Sequence, residues 1–294
     1  MKLECKNLRK SYGNKVALKE FSLYMEPGIY GLLGENGAGK STLMNLLTDN
    51  LKRDSGEILW NGKDILTWKS KYRKEIGYMP QQQGFYPEFS ALSYLIYIGK
   101  LKNMKHKQAK IQAMELLERL NLLNMAHEKI ESMSGGMRQR VMLAQALMGD
   151  AHILILDEPT VGLDPKERIR MRNFLMEISK DRIILLATHV VSDVECIADY
   201  VLLMKQGELV ASGSPDELIR TMDGHVVEKT CKKEDIIALS KQYPTGNAVQ
   251  KKDGIVMRVV GNEFEEDYIY VKDSWNLEDV YLYYCANAGN DVVQ

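Results

Sequence analysis

Four cysteines are spread over the 294 residues, Cys5, Cys196, Cys231 and Cys285, and no two of them form a C-x-x-C pair. A disulfide framework and a thiolate zinc site are thereby set aside, and the thiols read as those of a reducing compartment. Nowhere do 18 apolar residues run together, so no membrane-spanning segment is expected. The opening MKLECKNLRK has no apolar signal region, and the expected location is cytoplasmic. Positive charge is not in excess either: 39 Lys and Arg stand against 40 Asp and Glu, a net charge of −1. Non-specific nucleic-acid binding needs a basic face, so no nucleic-acid partner is expected. No internal repeat and no low-complexity tract is present.

What remains is ordinary globular material, 45% hydrophobic and 27% charged, long enough to build a core without disulfides or metals. The first part alternates β-like runs with turns: LECKNL, a turn at SYGNK, ALKEFSLYM, a turn at EPG. IYGLLG then reads as a buried strand leading through glycines into a helix at KSTLMNLLT, and SGEILWNGKDI as a hairpin closed by Asn61 and Gly62. From Tyr86 to Leu123 the apolar spacing becomes helical. Two further apolar strands, HILILDEP and RIILLATH, flank a helix-like PKERIRMRNFLMEISK. Strands alternating with helices predict an α/β fold with a parallel sheet covered on both faces, a helical segment inserted within it, and antiparallel β structure ahead of it. Past about Arg220 a short helix, a KKDG hairpin turn before IVMRVV, and LEDVYLYY as a terminal helix predict a small α/β unit over 221–294.

GENGAGKS, Gly34 to Ser41, matches G-x-x-x-x-G-K-[ST] between a strand and a helix. Glycines there let backbone N–H groups close around phosphates, and the helix N-terminus adds favourable partial charge. Gly34, Asn36, Gly37, Gly39, Lys40, Ser41 and Thr42 are the candidate ligands of a purine triphosphate. Lys40 would reach the β- and γ-phosphates and Ser41 would ligate Mg²⁺. In ILILDEP, Asp157 emerges at a strand end, where α/β sheets place ligands, and would hold Mg²⁺ through water. Glu158 follows, placed to accept a proton from an attacking water. His189 ends RIILLATH and reads either as a satisfied structural residue or as a γ-phosphate contact; spacing does not choose. Nothing in the spacing of Gln81 to Gln83 selects one glutamine, and Tyr12 is by itself a turn aromatic.

SGGMRQR, Ser134 to Arg140, sets two glycines at a helix start although each costs roughly 1 kcal/mol against alanine. Ser134 is a good N-cap, and glycines in the first turn remove side chains that would block phosphate oxygens. Gly135 and Gly136 therefore suggest a second anion site. Either one chain grips a nucleotide with both sites, or a nucleotide lies between two chains.

Taken in order, GENGAGKST, MSGGMRQR, ILILDEPTVGLD and LLATH closely resemble the nucleotide-binding subunit of ABC transporters, over about residues 1–220. The tail with NLEDVYLYY is similar to the C-terminal extension of bacterial drug- and peptide-antibiotic-exporter ATPases. The first resemblance implies a P-loop NTPase core with an inserted helical subdomain at about 86–135. It further implies a head-to-tail dimer, homomeric or heteromeric, with two ATP molecules and Mg²⁺ at the interface. Each ATP would lie between the phosphate loop of one subunit and the Ser134–Gly136 turn of the other. By the same resemblance Tyr12 stacks on adenine, Gln81 is the coupling glutamine that reaches the metal, and Glu158 is the general base. His189 then contacts the γ-phosphate, and Asp164 is the trans-interface aspartate. Met137 stands where the family usually has glutamine, which puts a ribose contact from this position in question. The transport path would belong to a separate transmembrane permease chain, with this subunit peripheral on the cytoplasmic face of the cell membrane. The aromatics of Phe85 to Tyr97 read either as the contact with that permease or as local core. The competing class is a soluble ABC ATPase with a regulatory or non-transport role. The interval Ser41–Met133 is too short for the long coiled coil of DNA-repair members, and a single cassette differs from the usual two of ribosome-acting ones.

Overall fold

The computed structural model describes residues 1–81, 84–252, 254–265 and 267–286. β1 (Leu3–Tyr12) and β2 (Lys15–Met25) form an antiparallel hairpin, with β4 (Ser55–Trp60) on the other side of β1 and β5 (Lys63–Asp64) beyond it. The expected turn at SYGNK is shorter than its composition suggests. Tyr12 still pairs with Lys15, so only Gly13 and Asn14 turn, with Gly13 at φ +55°. The β4–β5 hairpin closes as expected at Asn61 and Gly62, whose φ values of +49° and +80° suit the twist of the flanking strands.

The central sheet has the order β10-β9-β3-β8-β7-β6. Its parallel members are β3 (Gly28–Leu33), β6 (Ile76–Met79), β7 (Ile153–Asp157), β8 (Ile183–Ala187) and β9 (Tyr200–Lys205); β10 (Glu208–Gly213) runs antiparallel to β9. Strand alternation sorts the apolar residues onto two faces. Ile153, Ile155, Ile183 and Leu185 pack with the N-terminal sheet and with α1 (Lys40–Leu47). Leu154, Leu156, Ile184 and Leu186 pack on the opposite face with the helices. This double burial is why β7 and β8 read as unbroken apolar runs.

Between α1 and β6 lie the short helices α2 (Ile65–Trp68) and α3 (Ser70–Glu75). The helical insert consists of α4 (Ala91–Leu101) and α5 (His106–Arg119), which feed into α6 (Gly135–Leu147). Helix begins at Ala91 rather than at Tyr86 because the Ser90 hydroxyl caps it, accepting from the Ser93 N–H at 3.2 Å. Tyr86, Phe89 and Tyr97 stack on one another with ring centroids 5.3–5.7 Å apart, and Tyr86 remains exposed. α7 (Pro165–Ile178), α8 (Val191–Ile197) and α9 (Pro215–Arg220) complete the body.

β11 (Val226–Cys231), α10 (Ile236–Gln242), β12 (Thr245–Lys251), β13 (Gly254–Val260) and β14 (Ile269–Tyr270) form the antiparallel sheet β12-β13-β11-β14 and its helix. Val227, Leu239, Met257, Val259 and Tyr268 give this sheet a small core of its own. α11 (Leu277–Tyr284) turns back onto the body. Its Leu277, Val280 and Cys285 are fully buried in the same cluster as the helices of the central sheet. The Leu277 N–H donates to a Glu195 carboxylate oxygen of α8 at 3.0 Å, and buried Asp279 takes both arms of Arg258 at 2.6 Å. The Cys285 thiol lies 3.9 Å from the Met204 carbonyl, and burial pushes its pKa up to about 11.

Candidate functional site

β3, β7 and β8 run in parallel and in register, so the loops after their C-terminal ends meet at one edge of the sheet. After β3 the chain enters the phosphate loop. Gly34 at φ +156° leaves no room for a side chain, since a Cβ there would lie 2.3 Å from the Met204 carbonyl oxygen. Gly39, at φ +108°, is likewise pressed against the Ala17 carbonyl, 2.6 Å from a Cβ position. The loop is thus bent by glycines that the surrounding backbone requires. Lys40 opens α1, with Ser41 and Thr42 beside it, and its ammonium folds back to donate to the carbonyls of Gly34 at 2.5 Å and Glu35 at 3.0 Å. Burial lowers the Lys40 pKa, and the charges of Glu158 and Asp157 oppose that shift.

Asp157 ends β7. Burial raises its carboxyl to about 6 and the neighbouring Glu158 charge adds to this, against Lys40 and the backbone N–H that Gln81 donates. Two crowded carboxylates at a half-buried strand end form a site short of positive charge.

Glu158 holds a left-handed backbone, φ +54°, which is uncommon for a residue other than glycine. Its N–H donates to the Ala187 carbonyl at 2.8 Å, and its own carbonyl accepts from Gln139 Nε2 at 2.8 Å. Oε1 accepts the His189 N–H at 3.1 Å and lies 2.8 Å from His189 Nδ1, while Oε2 accepts from the Thr188 hydroxyl at 2.8 Å. The Glu158 side chain is only 11% exposed, whereas that of His189 is 70% exposed.

These groups border one cleft of about 230 Å³. Tyr12, Asn36, Gly37, Gly39, Lys40, Ser41, Thr42, Gln81, Asp157, Glu158 and His189 all line it, together with Lys15 and Ala17, which the motifs did not single out. Of the three glutamines, Gln82 and Gln83 lie outside the described residues. Ser134, Gly135, Gly136 and Asp164 do not line this cleft. They belong to a second surface, where Gly136 abuts Leu163, the residue before Asp164. Ser134 caps α6, its hydroxyl accepting from the Met137 N–H at 3.3 Å, and Asp164 caps α7 by accepting from the Glu167 N–H at 2.9 Å. Met137 packs against the core. Gly135 has an unstrained φ, and a Cβ on it would meet nothing within 4 Å.

Thr188 and Gln139 are contacts of Glu158 that sequence reasoning passed over. Each left a faint signal. Gln139 shares the buried side of α6 with Met142, Leu143 and Ala146, a polar residue in an apolar stripe. Thr188 is a hydroxyl, fully buried, at the end of the apolar β8 run.

Residues 18–161 match the family described as ABC transporter. The linearmycin resistance ATP-binding protein LnrL of Bacillus subtilis is 35% identical over 227 residues, 76% of this chain and 73% of that one. The Nod factor export ATP-binding protein I of Burkholderia lata is 34% identical over 224 residues, 76% and 74% of the two chains. The chain belongs to the ATP-binding subunits of ABC transporters. A solved ATP-binding subunit of an ABC transporter superposes with a TM-score of 0.69 at 26% identity, covering 76% of this chain and 93% of that one. The cassette MJ0796, solved as a dimer in a post-hydrolysis state with ADP and Pi, superposes at 0.65 and 26%, covering 72% and 98%. The antiparallel sheet, parallel sheet and helical insert expected from the motifs are those of this fold. As a member of the family the chain is an ATPase that drives transport. No helix among the described residues is long and apolar enough to cross a membrane.

Proposed function

We propose that this subunit powers an exporter, and that its ATP sites are completed only when two cassettes meet head to tail. The observation that carries the reading is the split of the site over two surfaces. The cleft around Lys40 gathers phosphate loop, carboxylates and histidine. Ser134, Gly135 and Gly136 open α6 on another surface, where Gly135 answers no need of its own chain. A glycine that the fold does not require, at a helix N-terminus, is suited to the phosphates of a nucleotide brought by a partner.

In this arrangement the loop from Gly34 to Gly39, with Lys40 and Thr42, holds the triphosphate, and Tyr12 stacks on the base. The carboxylate pair Asp157 and Glu158, short of positive charge, fits a divalent cation, and Ser41, Asp157 and Gln81 would hold Mg²⁺ with phosphate oxygens and water completing its shell. When bound, Mg²⁺ neutralises charge developing on the phosphate oxygens. Glu158 accepts the proton of the attacking water, His189 contacts the γ-phosphate, and Asp164 faces the partner. Residues 1–220 act as the ATP-binding domain, with the insert at about 86–135 and the exposed Tyr86 cluster meeting a permease on a separate chain at the cytoplasmic face of the membrane. Residues 221–294 act as an accessory domain. Similarity to LnrL and to the Nod factor export proteins supports export rather than import.

Two measurements test this. The tagged chain is expected to co-purify from detergent-solubilised membranes with a polytopic membrane protein; full function in a membrane-free pool would overturn the transport role. Glu158→Gln is expected to cut turnover by about a hundredfold or more, the scale of a lost general base, while ATP binding persists and ATP shifts the variant to a dimer in sedimentation. A variant that stays monomeric with ATP, or that turns over at the wild-type rate, would contradict the composite site or the base assignment respectively.

A further inference from the structure

Glu158 is held at both ends by residues to which the motif chemistry gives no role, Thr188 within LLATH and Gln139 within SGGMRQR. At its carboxylate, Thr188 is fully buried. The Val190 N–H donates to Thr188 Oγ1 at 3.1 Å, which leaves the hydroxyl proton to point at Glu158 Oε2, 2.8 Å away. With Oε1 already occupied by the His189 N–H and facing Nδ1, the lone pair left on Oε2 is the one free to take a proton. At its backbone, Gln139 donates to the Glu158 carbonyl at 2.8 Å from the buried face of α6. That bond steadies a left-handed conformation that glutamate does not favour.

We propose that Thr188 and Gln139 are positioning residues for Glu158, one orienting the carboxylate and the other pinning the backbone that carries it. The proposal rests on the reading of Glu158 as the base. Neither side chain lines the nucleotide cleft, so both act through Glu158 and not on ATP. Gln139 also lies one turn after the Ser134–Gly136 start of α6, so the helix that faces one nucleotide carries the support for the base of the other.

The test uses the full chain, steady-state ATPase assays with Mg²⁺, and equilibrium binding of a non-hydrolysable ATP analogue. Thr188→Val keeps the shape and removes the hydroxyl; it is expected to lower kcat by about tenfold to a hundredfold, as a misplaced catalytic group does, with KM and analogue affinity within about twofold. Thr188→Ser restores kcat to within about threefold of wild type, because it restores the donor. Gln139→Met, similar in shape but without the amide, lowers kcat in the same pattern and carries the prediction if Thr188→Val does not fold. In a Glu158→Gln background neither substitution lowers the residual rate further, since the group they position is already lost. The proposal is overturned if Thr188→Val and Gln139→Met keep wild-type kcat, if Thr188→Ser does no better than valine, or if both lower the residual rate of Glu158→Gln by their full factor. Wild-type turnover by Glu158→Gln alone would instead remove the base reading. Its loss beside an unaffected Thr188→Val would remove only the positioning role.

Discussion

Below about pH 6 Asp157 holds a proton in the nucleotide-free chain, because burial and the adjacent Glu158 disfavour its charge. In the proposed role of holding Mg²⁺ it must lose that proton, so Mg²⁺-dependent ATP binding is expected to weaken about tenfold per pH unit below 6 and to level off above it. Calorimetric titrations from pH 5 to 8 check this, and Asp157→Asn should flatten the dependence. The sign for stability is the reverse. The folded pKa lies above the unfolded value of 3.8, so the charged carboxyl penalises the fold above about 6 and the penalty is lifted as pH falls from there towards 3.8. At this scale the motif residues that line the cleft were legible because the motifs set glycines, a lysine, hydroxyls and carboxylates at short spacings. Thr188 and Gln139 were only faintly legible, since the residue that each was found to contact, Glu158, lies 30 and 19 residues away.

Among the elements, α6 is where the proposed composite site can be separated from the needs of the chain's own fold. Gly135→Ala meets no obstacle and replaces a poor helix former, so the isolated nucleotide-free chain should gain roughly 0.5–1 kcal/mol in urea denaturation. Turnover should nonetheless fall, and Gly135→Asp should abolish it while leaving ATP binding to the monomer intact. If either substitution destabilised the monomer or removed its nucleotide binding, the glycine would serve its own fold after all. The strands β7 and β8 were plain in the sequence because both faces are covered and every residue but the closing Asp157 is apolar. β1 was cut short there: SYGNK has the composition of a wide turn, but pairing of Tyr12 with Lys15 outweighs local preference and carries Tyr12 to the rim of the cleft.

For the molecule as a whole, the C-terminal unit is joined to the ATPase body through α11. Leu277 and Val280 are fully buried with residues of the central helices. Leu277→Ala is therefore expected to cost roughly 2–5 kcal/mol, and chemical denaturation should still give one transition for body and extension. Two separated transitions would mean that the extension is an independent folding unit. The sequence marked a compositional change near Arg220 and a helix at LEDVYLYY, yet it offered no sign of where that helix docks. Its partners Glu195 and Met204 precede it by 82 and 81 residues, too far for any local pattern to register.

That docking also orders events during synthesis. The carbonyl of Met204 borders both the Gly34 bend and the Cys285 thiol. The phosphate loop is among the first parts of the chain to be made, and Cys285, which packs on the same Met204 carbonyl, comes some 250 positions later. Until then the surface of the Met204 carbonyl that Cys285 covers and the flank of α8 that Leu277 meets are open to water or to a chaperone. The proposed ATP site thus reaches its mature packing late, after every residue lining its cleft, from Tyr12 to His189, has been made.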